Sequence, residues 1–215
     1  MKVTTVKGVM TDRVVAVRES ADFKEMVAVM RSRRISAFPV IDASSRVVGV
    51  VSEADLLLKQ TALALPRGAI RLVWRLKDRS KAAGVTAAEV MTKPAVTIHE
   101  DAPVTEAARL MQSRKLKRLP VVDDNGRLRG IITRTDVLGV FERPDQEIRD
   151  EVIKEVIAGV FGLDPELFVV TVTTGIVTIT GSVDRRPDAL SLLAGIRHLE
   201  GVIGVRDRLS YPAES

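Results

Sequence analysis

The sequence predicts an α+β chain: two β-α-β-β-α repeats packed as a pseudo-two-fold pair, followed by a small α-β-β-α-β module. Three observations carry this reading. The stretch "ISAFPVIDASSRVVGVVSEAD" beginning at Ile35 is answered by "LKRLPVVDDNGRLRGIITRTD" beginning at Leu116. Farther on, Thr174-Gly175 separates two alternating apolar runs, the pattern of a hairpin. Charge also divides the chain, with 26 Lys/Arg against 16 Asp/Glu in residues 1–143 and 7 against 12 in residues 144–215.

Shifted by 81 positions, Val9–Leu57 overlies Val90–Leu138 without a gap. Identical pairs include Met10/Met91, Thr11/Thr92, Pro39/Pro120, Asp42/Asp123, Gly49/Gly130 and Asp55/Asp136. This is an internal repeat with too few copies for a solenoid. Each copy opens with a short strand (Val14–Val17; Ala95–Ile98). An amphipathic helix follows, with Phe23, Met26, Val27 and Met30, or Val104, Ala107, Ala108 and Met111, on its apolar face. Two apolar strands come next (Phe38–Ile41 and Val47–Val51; Leu119–Val122 and Leu128–Ile132), and a second helix starts around Glu53 and Arg134. A three-stranded sheet with both helices on one side leaves its other side bare, so the copies are expected to pack face to face.

Composition excludes several functions. The 215 residues contain no Cys and only His99 and His198, which removes disulfides, thiolate chemistry and His- or Cys-built metal centres. No Ser-His-Asp or P-loop spacing is present, so no enzyme is expected. The N-terminal "MKVTTVKGVMTDR" lacks the apolar core of a signal peptide, and no run approaches the roughly 18 apolar residues of a membrane span. A cytoplasmic protein is expected, with attachment to the inner face of the membrane as the alternative. The basic half suits an anionic partner. Aromatics are only 3%, which argues against single-stranded nucleic acid.

Ser52-x-x-Asp55 and Thr133-x-x-Asp136 each stand where an apolar strand becomes a helix. A carboxylate there can accept both hydrogen bonds of a ribose diol, and the hydroxyl and helix-start amides lie near a phosphate. The same spacing also makes a helix capping box, and the two roles are compatible. Copy two carries Arg114, Lys115, Lys117 and Arg118 before its Pro, and Arg134 beside Thr133. Copy one has Ser36 and Ala37 in place of Lys117 and Arg118, and Glu53 in place of Arg134. Phosphates want cationic donors, so the phosphorylated ligand is expected at Asp136. A solvated helix end remains the alternative for that cluster.

Met-Thr before the first strand, Pro-Val-x-Asp, Gly-x-x-Ser/Thr-x-x-Asp and tandem duplication together resemble a pair of CBS domains over residues 1–142. The resemblance implies a regulatory module, usually dimeric, that binds AMP, ADP, ATP, NAD(H) or S-adenosylmethionine. It implies two sets of ligand-binding residues. One comprises Thr92, Val96, Arg118, Pro120, Thr133, Arg134 and Asp136; the other comprises Thr11, Val15, Pro39, Ser52 and Asp55. Turn and strand-edge roles for the threonines and prolines stay open. The divisions are 1–58 and 89–142 for the repeats, 59–88 for a connector and 145–212 for the last module.

In the connector, Arg67, Arg71, Arg75 and Arg79 recur every four residues along one helix face. They suit an anionic partner or membrane, or simply face water. Beyond Pro144, Ile148, Val152, Ile153, Val156, Ile157 and Val160 describe an amphipathic helix. Thr174-Gly175 pairs Val172 with Val177 and Val170 with Ile179. Pro187 starts a helix bearing Leu190, Leu193 and Ile196, Gly201 stops it, and "VIGVRDRLSY" is a last strand. The Gly-Ile-Val-Thr-Ile-Thr-Gly hairpin and the Gly201-Val202…Val205 ending resemble a BON domain, which implies a link to envelope and osmotic-stress proteins; a protein partner is the contact expected of this module. The acidic excess of the segment opposes the phospholipid binding proposed for that family. Gly175, Gly181 and Gly201 are read as turn and packing residues.

Overall fold

The computed structural model describes residues 4–64 and 85–211, excluding the side chains of 59–64. Two compact units result: Thr5–Arg134, and Thr135–Ser215 joined by Met1–Thr4. The Arg67, Arg71, Arg75 and Arg79 series of the connector lies outside the described residues.

In the first unit, copy one runs α1 (Val6–Val9), β1 (Val17–Arg18), α2 (Phe23–Arg33), β2 (Ala37–Ile41), β3 (Val47–Ser52) and α3 (Glu53–Ala64). Copy two repeats it as α4 (Ala87–Val90), β4 (Ile98–His99), α5 (Val104–Ser113), β5 (Arg118–Val122) and β6 (Leu128–Thr133); α6 (Arg134–Leu138) begins on the last residue of this unit and otherwise belongs to the second. Each copy has a three-stranded sheet in sequence order, parallel at its first pair and antiparallel at its second. Both sheets shift register at the same repeat position, Val40/Ile41 and Val121/Val122. Asp22 starts α2 by accepting the Glu25 amide at 2.7 Å, an N-cap. Met26 and Met30 of α2, and Val104, Ala107 and Met111 of α5, are buried as their spacing requires; Phe23, Val27 and Ala108 are half-buried.

Asp42 and Asp123 organise the two hairpin turns. Asp123 accepts the Asn125 and Arg127 amides, both at 2.9 Å, and the Arg127 amide in particular holds its carboxyl below the usual range. Only Gly126 of the Asn-Gly pair has positive φ, at +73°; its counterpart in copy one is Ser45 at +62°.

The first strands are shorter than the sequence suggests, and the segments that lead into them cross between the copies. Residues ahead of each strand are committed to the opposite repeat. The Thr11 amide donates to the Ile131 carbonyl at 2.9 Å, and Thr92 donates to Val50 at 2.8 Å. The amides of Val6 and Lys7 reach the carbonyls of Ala102 and Glu100, while those of Ala87 and Ala88 reach Ala21 and Glu19. Ala87, Val90 and Met91 therefore belong to the core of copy one, packed with Met26, Phe38, Val40 and Val51. The paired glycines make room for this. A Cβ on Gly49 would stand 2.3 Å from the Met91 sulfur; one on Gly130 would meet the Met10 sulfur at 2.4 Å and the Thr11 carbonyl at 2.9 Å.

In the second unit, α7 (Asp145–Glu151) continues as a π-helix over Val152–Val160. It is followed by β7 (Phe168–Thr173), β8 (Ile176–Ser182), α8 (Arg186–Arg197) and β9 (Gly204–Ser210). The hairpin register is as the sequence reads it, Val172 opposite Val177 and Val170 opposite Ile179. Thr174 and Gly175 both have positive φ, +51° and +74°, as a two-residue hairpin turn of primed type demands. The Asp145 carboxylate accepts both their amides, at 2.7 and 2.8 Å, tying the first helix to that turn. Strand β9 joins β8 in parallel, with Val205 beside Val177.

Two expected core residues face water. Val160 is 64% exposed because the chain winds with i to i+5 bonds, such as the Phe161 amide to the Val156 carbonyl, which rotates it off the apolar face. Leu190 is 56% exposed because α8 buries Ala189, Leu192, Leu193 and Ile196, a stripe that skips it. Gly175 and Gly201 adopt positive φ; a Cβ on Gly175 would press on the Gly201 carbonyl at 2.9 Å, and one on Gly181 on the Phe168 ring at 2.5 Å.

Two substitutions test these contacts. Gly130→Ala should cost about 1–3 kcal/mol by overpacking, and more than Gly49→Ala, because backbone oxygen cannot move aside as a Met side chain can; urea unfolding midpoints compare them. Asp145→Ala should cost about 1.5–3 kcal/mol by releasing two charge-assisted turn bonds, read as a loss of amide-exchange protection at Thr174 and Gly175.

Candidate functional site

The strand-to-helix junction of copy one opens on a cavity of about 440 Å³ within the first unit. Its acid comes from α3. Ser52 ends β3, and Asp55 in the next turn accepts the Ser52 amide at 2.9 Å and the Ser52 hydroxyl at 2.6 Å through Oδ2. That is the capping arrangement foreseen in the spacing. The other oxygen, Oδ1, faces Thr92 Oγ1 of copy two at 3.3 Å. The acid thus caps its own helix on one side and addresses the opposite repeat on the other.

The remaining wall is drawn from both copies. Ala37, Val50, Ala54, Leu57, Pro94, Ala95 and Val96 supply an apolar surface. Lys115, Lys117 and Arg118 line the same cavity, as do Ser36 and Glu53. Arg118 donates from Nη2 to Ser36 Oγ at 2.7 Å, a second side-chain bond between copies. Lys115 enters through a left-handed residue, φ +56°, at the end of α5; Arg34 has the same conformation at the equivalent place.

Three of the cations that the sequence reading places before Pro120 and expects at the Asp136 junction, Lys115, Lys117 and Arg118, border the cavity of Asp55. The cause is the exchange: Thr92 pairs with Val50, so copy two's leading segment and its helix end are brought to copy one's acid.

A family model for the CBS domain matches residues 6–61 and 87–143, more than half of the chain. The chain belongs to the CBS domain family. Among relatives, MJ1426 of Methanocaldococcus jannaschii is 29% identical over 153 residues, 64% of this chain and 90% of its own. Against other curated relatives the chain spans about half their length or less. Among solved structures, CBSX2 in complex with AMP aligns with TM-score 0.50 and 30% identity, over 62% of this chain and 93% of that one. The CBS domain pair of MJ0100, in complex with 5′-methylthioadenosine and S-adenosyl-L-methionine, aligns with TM-score 0.52 and 26% identity, over 66% and 98%.

The other anticipated CBS residues stand apart from this cavity's wall. Thr11 bonds Ile131, Val15 is half-buried ahead of β1, and Pro39 and Pro120 are buried opposite Val50 and Ile131. Both prolines precede the residues that pair with the two-residue first strands, so no ladder bond is lost on that side. Thr133 ends β6 and Asp136 lies in the first turn of α6. Arg134 donates from Nε to the Leu116 carbonyl at 2.9 Å and thereby closes the end of α5. Among the described residues no cluster of His, Asp or Glu could hold a metal ion, and no helix is long and apolar enough to cross a membrane. Ser36, Pro94 and Ala95 were not singled out as ligand-binding positions in the sequence; only the 81-residue equivalence of Ser36 with Lys117 hinted at the first.

The left-handed position gives a test. Lys115→Gly should raise stability by about 0.5–1 kcal/mol, the relief of a Cβ in that conformation less glycine's added chain entropy; chemical denaturation measures it.

Proposed function

We propose that this CBS pair is a non-enzymatic sensor that takes an adenosyl ligand in the Asp55 cavity and passes its state to a partner. The observation that carries this is the Thr92–Asp55 contact, a bond between copies inside the cavity. A ribose diol that takes the outer oxygen of Asp55 replaces that bond. Ligand binding and the fit of one repeat on the other thereby share a single carboxylate, and a ligand shifts a conformational balance only through such differential contacts. The apolar wall suits a purine, and about 440 Å³ falls within the size range of small-molecule sites. The AMP-bound CBSX2 and the adenosyl-bound MJ0100 pair support the same ligand class.

The relay runs, in this proposal, through the C-terminal α-β-β-α-β module, whose hairpin and final strand resemble a BON domain, with the CBS pair working as a homodimer. Its open sheet face supports a docking role. Thr171, Thr178 and Thr180, with Arg206 and Arg208, lie on the side opposite Val170, Val177 and Ile179.

A thermal-shift series with AMP, ADP, ATP, NADH, 5′-methylthioadenosine and S-adenosylmethionine tests the site. At least one ligand should stabilise the wild type by about 2.7 kcal/mol at a hundredfold excess over its Kd. Asp55→Ala should abolish that shift, with calorimetric titration confirming lost binding in the folded variant. Equal binding by wild type and Asp55→Ala, or no binding of any ligand, overturns the proposal.

A further inference from the structure

Resting on the Asp55 cavity as the adenosyl site, we propose that this cavity selects 5′-phosphorylated ligands over uncharged or cationic ones, and that Lys115 and Lys117, with Arg118, make the selection. The three cations belong to one short stretch, from the end of α5 into β5, so they form a single bank along the wall. The hydroxyls and the diol-binding acid, Ser52, Thr92 and Asp55, come from other segments. Among the described lining residues three cations, Lys115, Lys117 and Arg118, stand against two acids, Glu53 and the diol-binding Asp55, which leaves one positive charge in excess.

The cations differ in how they are held. Arg118 is half-buried and its guanidinium is already oriented by Ser36 across the cavity, 2.7 Å away, which leaves the rest of its planar fork for an anion. Lys115 and Lys117 are exposed at the rim and act as mobile point charges. At the positions equivalent to Lys117 and Arg118, copy one has Ser36 and Ala37, which line the same cavity and bring no charge. The cationic bank is therefore one-sided, fitted to a ligand with one anionic end. The phosphate of AMP meets that need. The sulfonium and ammonium of S-adenosylmethionine would face like charge, and adenosine offers the cations nothing.

Calorimetric titration of the full chain with AMP, adenosine and S-adenosylmethionine decides the matter. Wild type should bind AMP at least about tenfold tighter than either of the others, the effect of one charge-assisted contact or more. Lys117→Ala and Lys115→Gly, both at exposed positions, should each weaken AMP about tenfold and leave adenosine within about twofold. Added salt should weaken AMP and not adenosine. Adenosine or S-adenosylmethionine binding as tightly as AMP, in a site still abolished by Asp55→Ala, overturns the selection and leaves the sensor reading standing. Failure of every ligand to bind overturns both.

Discussion

The reciprocal exchange of the Met-Thr leads is the constraint from which the architecture of the first unit follows. Each lead leaves its own repeat, packs its methionine over a glycine of the other, and pairs its threonine with a strand of the other. A Cβ at either glycine would collide with what crosses it, and each threonine amide finds a carbonyl acceptor on a strand of the other copy. The core of copy one is incomplete without Ala87, Val90 and Met91. Neither repeat, on this account, is an independent folding unit, and the pair is the smallest object with a closed interior.

The same exchange builds the Asp55 cavity. An acid from one copy, a threonine from the other and cations from the second helix end meet only because the leads cross. Polar contacts among the described residues span the copies there, Thr92 to Asp55 and Arg118 to Ser36. A ligand that engages an acid and cations engages the bonds that hold the repeats in register. In the proposed function, binding and packing draw on the same atoms.

The second unit rests on a different device. Its hairpin turn is held by the Asp145 carboxylate, and Arg143 bridges the Glu200 carbonyl and the Glu151 carboxylate, at 2.8 Å each. Thr4 donates its amide to the Glu200 side chain at 2.8 Å, which brings the chain's beginning into this unit. Polar clamps close one end of a small core whose helices cover a single sheet face.

Much of this was legible in the residues. The 81-residue repeat, the β-α-β-β-α order, the hairpin at Thr174-Gly175 and its register, and Asp55 as a helix-capping acid all follow from local pattern, because turn chemistry and side-chain alternation act between near neighbours. What the sequence alone could not decide was which copy's cations border which copy's acid, since that is set by a crossing between segments far apart in the chain. The exposure of Val160 and Leu190 was hidden for a related reason: a π-turn and a rotated apolar stripe are choices made by packing, and periodicity reads only the helix a sequence would form by itself.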